Sequence, residues 1–138
     1  MADSGLRTLK DRVVVITGAS RGIGRDIAVR VAADGASVVL LAKTDTHNPK
    51  IAGTLGETAE AVEDAGGRAL PLVCDVRDAE AVAGVIAHAA ETFGAIDVVV
   101  NNAGALDLRR TPKLPPKMFD RLLAVNVEGP FALVQAAF

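Results

Sequence analysis

Residues 13–24 read Val13-Val14-Val15-Ile16-Thr17-Gly18-Ala19-Ser20-Arg21-Gly22-Ile23-Gly24. Four apolar β-branched residues in succession predict a buried strand over about residues 12–17, and the apolar spacing that begins at Ile23 predicts a helix over about residues 22–34. Three glycines stand in the turn between these two elements. Such a turn presents backbone N–H groups and a helix N-terminus to a pyrophosphate. The stretch therefore predicts a parallel-sheet domain that binds a dinucleotide.

The alternation of strand and helix repeats along the rest of the chain. Further strands are predicted at about residues 37–42, 69–73 and 96–101, and further helices at about 54–65, at about 78–93 and from Lys117 past Phe131. Four strands alternating with helices are typical of a doubly wound parallel sheet with right-handed crossovers. We therefore expect an α/β fold of the Rossmann type, of which the chain carries the first four strands.

The end of the sequence predicts a continuation. The apolar segment over residues 128–138 stops without a terminal glycine, a polar cap or a cation in its last turn, whereas natural helices usually end on one of these. We interpret residues 1–138 as the N-terminal, cofactor-binding part of a single truncated Rossmann domain, with the catalytic second half absent from this chain.

The composition narrows the class of protein. The chain has 138 residues, of which 50% are hydrophobic, and a net charge of -2. These values suit one α/β domain and give no reason to expect nucleic acid or a membrane as a partner. One cysteine, Cys74, and two histidines on unrelated segments, His47 and His88, predict no disulfide and no metal site. The polar start and the lack of a long apolar run predict a cytoplasmic protein.

The glycine spacing is Gly18-x-x-x-Gly22-x-Gly24 rather than the strict G-x-G-x-x-G, because Ile27 stands where the last glycine would be. Four ordered motifs follow along the chain: residues 17–24, Cys74-Asp75-Val76, Asn101-Asn102-Ala103-Gly104 and residues 122–129. Together they resemble the short-chain dehydrogenase/reductase family. The loop over residues 42–54 is similar to that of the hydroxysteroid dehydrogenase-like subgroup of this family.

The resemblance implies an oxidoreductase that interconverts a carbonyl and a secondary alcohol by hydride transfer, acts on a small molecule and forms dimers or tetramers. It implies that the cofactor is held by Gly18, Ser20, Arg21, Gly22, Ile23, Gly24, Lys43, Asp75, Val76, Asn102, Ala103 and Gly104. It also implies that Asn126 is catalytic and holds a water in the proton relay. From the residues alone, Asn126 could equally be a core asparagine bonded to backbone, and Asp75 could cap a turn.

The choice of nicotinamide cofactor depends on the end of the second strand. NAD enzymes usually place a carboxylate there, but this chain has Ala42 followed by Lys43. Hydrogen bonds from Lys43 and Arg21 to a 2′-phosphate, at ~1.5–3 kcal/mol each, would favour NADP over NAD by roughly 100-fold. Two alternatives stay open: both cations could be merely solvated, or Asp45 could reach a ribose hydroxyl and favour NAD.

The residues that carry proton transfer in this family are missing from this chain. A tyrosine, a lysine four positions later and a serine carry the family's proton transfer. The chain has no tyrosine, and its only serines are Ser4, Ser20 and Ser37. We therefore predict that residues 1–138 alone are inactive. The alternative is a truncated or degenerate nucleotide-binding module without catalysis. The basic stretch over residues 109–117 is typical of a solvated loop, although it could border a substrate entrance.

Overall fold

The structure is a computed structural model that describes residues 8–138. The polar start predicted at residues 1–7 lies outside them. The described residues contain one sheet with strand order β3-β2-β1-β4 and parallel pairing throughout. The strands are β1 (Val13–Thr17), β2 (Ser37–Ala42), β3 (Arg68–Val73) and β4 (Val98–Val100). This order confirms the predicted Rossmann-type fold.

Helices cover both faces of the sheet. They are α1 (Gly22–Ala33), α2 (Leu55–Asp64), α3 (Ala79–Phe93), α4 (Pro116–Leu123) and α5 (Gly129–Ala137), with a short 3-10 turn at Thr111–Lys113. Val14 and Ile16 of β1 belong to the core that includes α1 and α2, whereas Val13 and Val15 belong to the core that includes α3 and α5. Because both faces are buried, the strands are continuous apolar runs, which is the pattern that predicted them.

Two of the helix starts are fixed by side-chain caps. The Thr54 hydroxyl accepts a hydrogen bond from the backbone N–H of Glu57, and the Glu57 carboxylate accepts one from the N–H of Thr54. The Asp78 side chain accepts a hydrogen bond from the N–H of Ala81 at 3.0 Å, and Gly94 ends α3 in a left-handed conformation with φ +85. These caps confirm the predicted second and third helices to within one residue at each end.

The fourth helix, predicted from about Lys117 past Phe131, is present, but it contains a π-helical turn that was not predicted from the sequence. The helix begins at Pro116, widens into a π-helical turn over Ala124–Glu128 and continues as α5. Pro130 has no N–H to donate to the carbonyl four residues earlier, and its ring would crowd that carbonyl. The chain instead bonds the N–H of Gly129 to the carbonyl of Ala124, five residues earlier. The turn therefore lies directly before the proline that requires it.

The fourth strand is shorter than the predicted range 96–101. Below Val98, the N–H of Asp97 donates to the Val13 carbonyl at 3.0 Å, but the N–H of Val13 donates to the Asp97 carboxylate at 2.8 Å rather than to a backbone carbonyl. Above Val100, the chain leaves the sheet, and the backbone N–H groups of Asn102 and Ala103 donate to the hydroxyl of Thr17 in β1 instead of to a strand carbonyl. Among residues 8–138, no helix is long and apolar enough to cross a membrane.

Candidate functional site

A cleft of about 390 Å³ lies at the carboxyl ends of the strands. It is lined by nine of the residues predicted to hold a cofactor: Gly18, Ser20, Arg21, Lys43, Asp75, Val76, Asn102, Ala103 and Gly104. Sequence reasoning did not single out Leu41, Thr44, Arg77, Ala105, Arg121 and Val125, which also line it. The position of this cleft is the one at which doubly wound sheets bind ligands.

Four predicted site residues lie outside this lining. Gly22 and Ile23 are on the exposed first turn of α1, where the Ile23 side chain is 72% exposed. Gly24 is buried beneath the turn, and Asn126 lies in the π-helical turn. Their assignment to a cofactor or to catalysis stays a prediction.

The glycine turn brings α1 close to the end of β1. Gly18 and Gly22 have φ +66 and +55, in the left-handed region that favours glycine. A Cβ atom at Gly24 would lie 2.3 Å from the Gly18 carbonyl oxygen and 2.6 Å from Nδ2 of Asn102. No side chain caps the N-terminus of α1. Its first backbone N–H groups therefore have no side-chain acceptor, which suits an anionic ligand.

Thr17 joins the ends of β1 and β4, and sequence reasoning missed this role. Its hydroxyl accepts hydrogen bonds from the N–H groups of Asn102 at 3.1 Å and Ala103 at 2.9 Å. The Asn102 side-chain amide donates back to the carbonyls of Thr17 at 3.0 Å and Gly18 at 3.2 Å. Thr17 is 2% exposed. The cleft floor is thus fixed by a reciprocal hydrogen-bond network across two strands.

The side chain of Asn126 forms hydrogen bonds to the backbone of Ala105, in the segment that follows β4. Its Oδ1 accepts from the N–H of Ala105 at 2.9 Å, and its Nδ2 donates to the Ala105 carbonyl at 2.9 Å. A Cβ atom at Gly104 would lie 3.5 Å from the same Oδ1. The sequence left open a core asparagine bonded to backbone; Asn126 is bonded to backbone, but it is exposed rather than in the core. It fixes the chain that leaves β4 at the edge of the cleft.

The cleft carries more positive than negative charge. Its lining includes four cations, Arg21, Lys43, Arg77 and Arg121, and one carboxylate, Asp75. The Arg77 guanidinium donates to both Asp75 oxygens, at 2.6 Å from Nη2 to Oδ2 and 3.0 Å from Nε to Oδ1. Lys43 Nζ lies 4.0 Å from the same carboxylate. The Arg77 hydrogen bonds are the main cause that lowers the pKa of Asp75 from 3.8 to about 2. Asp75 is therefore an anion held among cations.

Asp45 lies apart from this lining. Its Oδ1 accepts a hydrogen bond from the N–H of Gly56 at 3.2 Å, in the first turn of α2. A carboxylate in this position interacts favourably with the positive end of the helix dipole. The end of β2 thus presents Lys43 and Thr44 to the cleft, while the nearby acidic residue is bonded to α2.

A family model described as short chain dehydrogenase matches residues 12–138. Over 123 residues the chain is 47% identical to hydroxysteroid dehydrogenase-like protein 2 of Rattus norvegicus, an alignment that covers 89% of this chain and 24% of the rat protein. A crystal structure of a short chain dehydrogenase from Mycobacterium thermoresistibile gives a TM-score of 0.91 at 46% identity, over 94% of this chain and 46% of that one.

A second solved structure is carveol dehydrogenase from Mycobacterium avium in complex with NAD. It gives a TM-score of 0.84 at 31% identity, over 96% of this chain and 50% of that one. The chain spans about a quarter of the length of the curated relatives it matches and about half of these solved chains. The family match, the relatives and the shared sheet confirm the resemblance drawn from the motifs, and the chain belongs to the short-chain dehydrogenase family of NAD- or NADP-using oxidoreductases.

Proposed function

We propose that the protein containing these residues is an NADP-dependent oxidoreductase that interconverts a carbonyl and a secondary alcohol of a small molecule. The observation that carries the proposal is the composition of the cleft at the end of β2. Lys43 and Arg21 line it, and Asp45 is engaged with α2. Two cations, with Asp45 bonded to α2 and the Asp75 carboxylate paired with Arg77, favour a 2′-phosphate over a 2′-hydroxyl group.

The residues present fit a dinucleotide. Close backbone approach at Gly18 and Gly24 leaves no space for a Cβ atom and brings the start of α1 against the end of β1, and the uncapped start of α1 favours the diphosphate. Asp75 and Val76 would border the adenine, and the backbone from Asn102 to Gly104 would lie along a ribose. When bound, the nicotinamide ring supplies or accepts the hydride.

Asn126 is proposed to take part in the proton relay. What supports this role is its place in a π-helical turn beside the cleft, since such turns are frequent at functional sites. Through its two bonds to Ala105 it also holds the chain that leaves β4. The tyrosine, lysine and serine of the family's proton transfer have no counterpart among these 138 residues. We propose that a longer protein supplies them and that residues 1–138 are its N-terminal cofactor-binding part.

A homo-oligomer is also proposed. Large apolar side chains that are 40–74% exposed follow one another along α4 and α5: Phe119, Leu123, Val127, Phe131, Val134 and Phe138. A contiguous exposed apolar surface of this kind is typical of association sites. The cytoplasmic location stays a prediction from the sequence.

The test is a turnover assay on two preparations, the full-length protein and residues 1–138 alone. With NADPH and a panel of aldehydes and ketones, we expect carbonyl reduction only from the full-length protein, because proton transfer by a positioned side chain contributes about 10²–10⁴ in rate. Turnover by the 138-residue preparation would contradict the proposal that the residues for proton transfer lie outside residues 1–138. No turnover from the full-length protein, with NADPH binding intact, would favour a nucleotide-binding module without catalysis.

A further inference from the structure

A second groove, of about 570 Å³, lies beside α4. Its charged lining consists of four cations, Arg77, Arg109, Lys117 and Arg121, and one carboxylate, Asp120. Arg77 and Arg121 also line the dinucleotide cleft, so the two spaces adjoin each other. Nothing in the proposed function uses this groove, which we call the α4 groove.

Two of its arginines are held in place by aspartates of the same loops. Arg77 donates from Nε and Nη2 to Asp75, and Arg109 donates from Nε and Nη2 to Asp107. An arginine has five N–H groups. In the part of the chain that the structure describes, the Nη1 groups of both residues have no protein acceptor. Their guanidinium planes are thus oriented in advance, with donors left for a ligand.

The other two cations stand on one face of α4. Lys117 and Arg121 are four residues apart, a spacing at which helical side chains are neighbours and like charges are destabilising. Within residues 8–138, neither forms an ion pair. Even when Asp75 and Asp107 are counted with Asp120, cations outnumber carboxylates around the groove by four to three. An anion bound here would relieve this repulsion.

We propose that the α4 groove binds the phosphate or diphosphate group of a small molecule next to the dinucleotide cleft. The Nη1 groups of Arg77 and Arg109, the Arg121 guanidinium and the Lys117 ammonium surround one space. Several separate donors of this kind match a group with several anionic oxygens better than a carboxylate with two. Pro115, Met118 and Ala124 complete the lining and provide an apolar surface for an organic chain attached to the phosphate. This proposal rests on the proposed function in one respect, which is that the neighbouring cleft binds a nicotinamide dinucleotide.

The test is calorimetric titration of inorganic diphosphate into the full-length protein. NADPH is added to saturation first, so that the glycine turn is filled before diphosphate is added. The groove variant is R109Q/K117Q, and its matched control is R110Q/K113Q, which removes the same charge from the same segment at residues outside the groove lining. We expect the groove variant to weaken diphosphate binding by at least about tenfold and the control by less than about twofold.

Two results would overturn the proposal: no binding at millimolar diphosphate, or equal weakening in both variants, which would mean only general attraction by the basic segment. Thermal midpoints of both variants establish that they are folded. If NADPH itself fails to bind, the proposed cofactor is wrong. The groove comparison is then repeated in an R21Q/K43Q background, where the cleft is weakened as an anion site.

A second titration with an alkyl diphosphate distinguishes two sources of the same chemistry. Tighter binding than inorganic diphosphate assigns the groove to the phosphate handle of an organic substrate, whereas equal binding assigns it to the free anion. Both results support a phosphate site. For both ligands we expect binding to weaken by at least about tenfold in R109Q/K117Q and by less than about twofold in R110Q/K113Q.

Discussion

Replacing Gly24 by alanine is expected to abolish dinucleotide binding and to lower the free energy of unfolding by about 3 kcal/mol. The new Cβ atom would lie 2.3 Å from the Gly18 carbonyl oxygen and 2.6 Å from Nδ2 of Asn102. Gly18 is itself tightly packed, because Asn102 and Ala103 occupy the space that a Cβ atom of Gly18 would take. The N-terminus of α1 must therefore move away from the glycine turn, and the phosphate site moves with it.

Gly84 provides the matched control for this substitution. It lies inside α3, and a Cβ atom there would meet no heavy atom within 4 Å. Gly84→Ala is expected to raise the free energy of unfolding by up to about 1 kcal/mol, because alanine is the better helix former. Urea unfolding of both variants and NADPH titration measure the two effects. A Gly24→Ala protein within about 0.5 kcal/mol of wild type would show that the close approach of α1 is not required.

Replacing Thr17 by valine is expected to cost about 2–4 kcal/mol of unfolding free energy and to weaken cofactor binding. Valine keeps the shape of the side chain but removes the acceptor of two hydrogen bonds, from the N–H groups of Asn102 and Ala103. Thr17 is 2% exposed, so water does not readily replace the lost acceptor. Since Asn102 and Ala103 line the cleft, their displacement also disturbs the cofactor site.

Thr17→Ser is the control that retains the hydroxyl. It is expected to keep most of the unfolding free energy and the NADPH affinity, apart from the loss of one methyl group from the core. Urea unfolding and NADPH titration of the valine and serine variants measure how much the hydroxyl group and the methyl group of Thr17 each contribute to stability and to cofactor binding. If valine were as stable as threonine and serine were the weaker variant, packing rather than hydrogen bonding would hold the ends of β1 and β4 together.

The fold was predictable because its signals are local. The apolar run of β1, the glycine turn and the cap at Asp78 each lie within a few residues of the element they define, and each agrees with the others. The parallel pairing of the four strands followed from their alternation with helices. The π-helical turn was missed because the helical pattern continues through residues 117–131, although Pro130 carried a signal that the helix is distorted there.

The site was predictable only in part, because its hydrogen bonds join distant positions. Thr17 and Asn102 are 85 residues apart in the chain, and the sequence around either residue does not indicate that the two form hydrogen bonds. The Arg77–Asp75 pair is local, but any of several basic residues could have paired with that carboxylate. The signal for Thr17 in the sequence was its place, a threonine that ends an apolar strand directly before the glycine turn; the structure shows that it is buried.

The most direct measurement is a side-by-side calorimetric titration of NADPH and NADH into the full-length protein and its Lys43→Asp variant, with Lys50→Asp as a control outside the cleft lining. We expect NADPH to bind wild type at least about tenfold more tightly than NADH, and Lys43→Asp to remove or reverse this preference while Lys50→Asp preserves it. Equal affinities in wild type, or a preference for NADH, would contradict the assignment of the cleft to NADP.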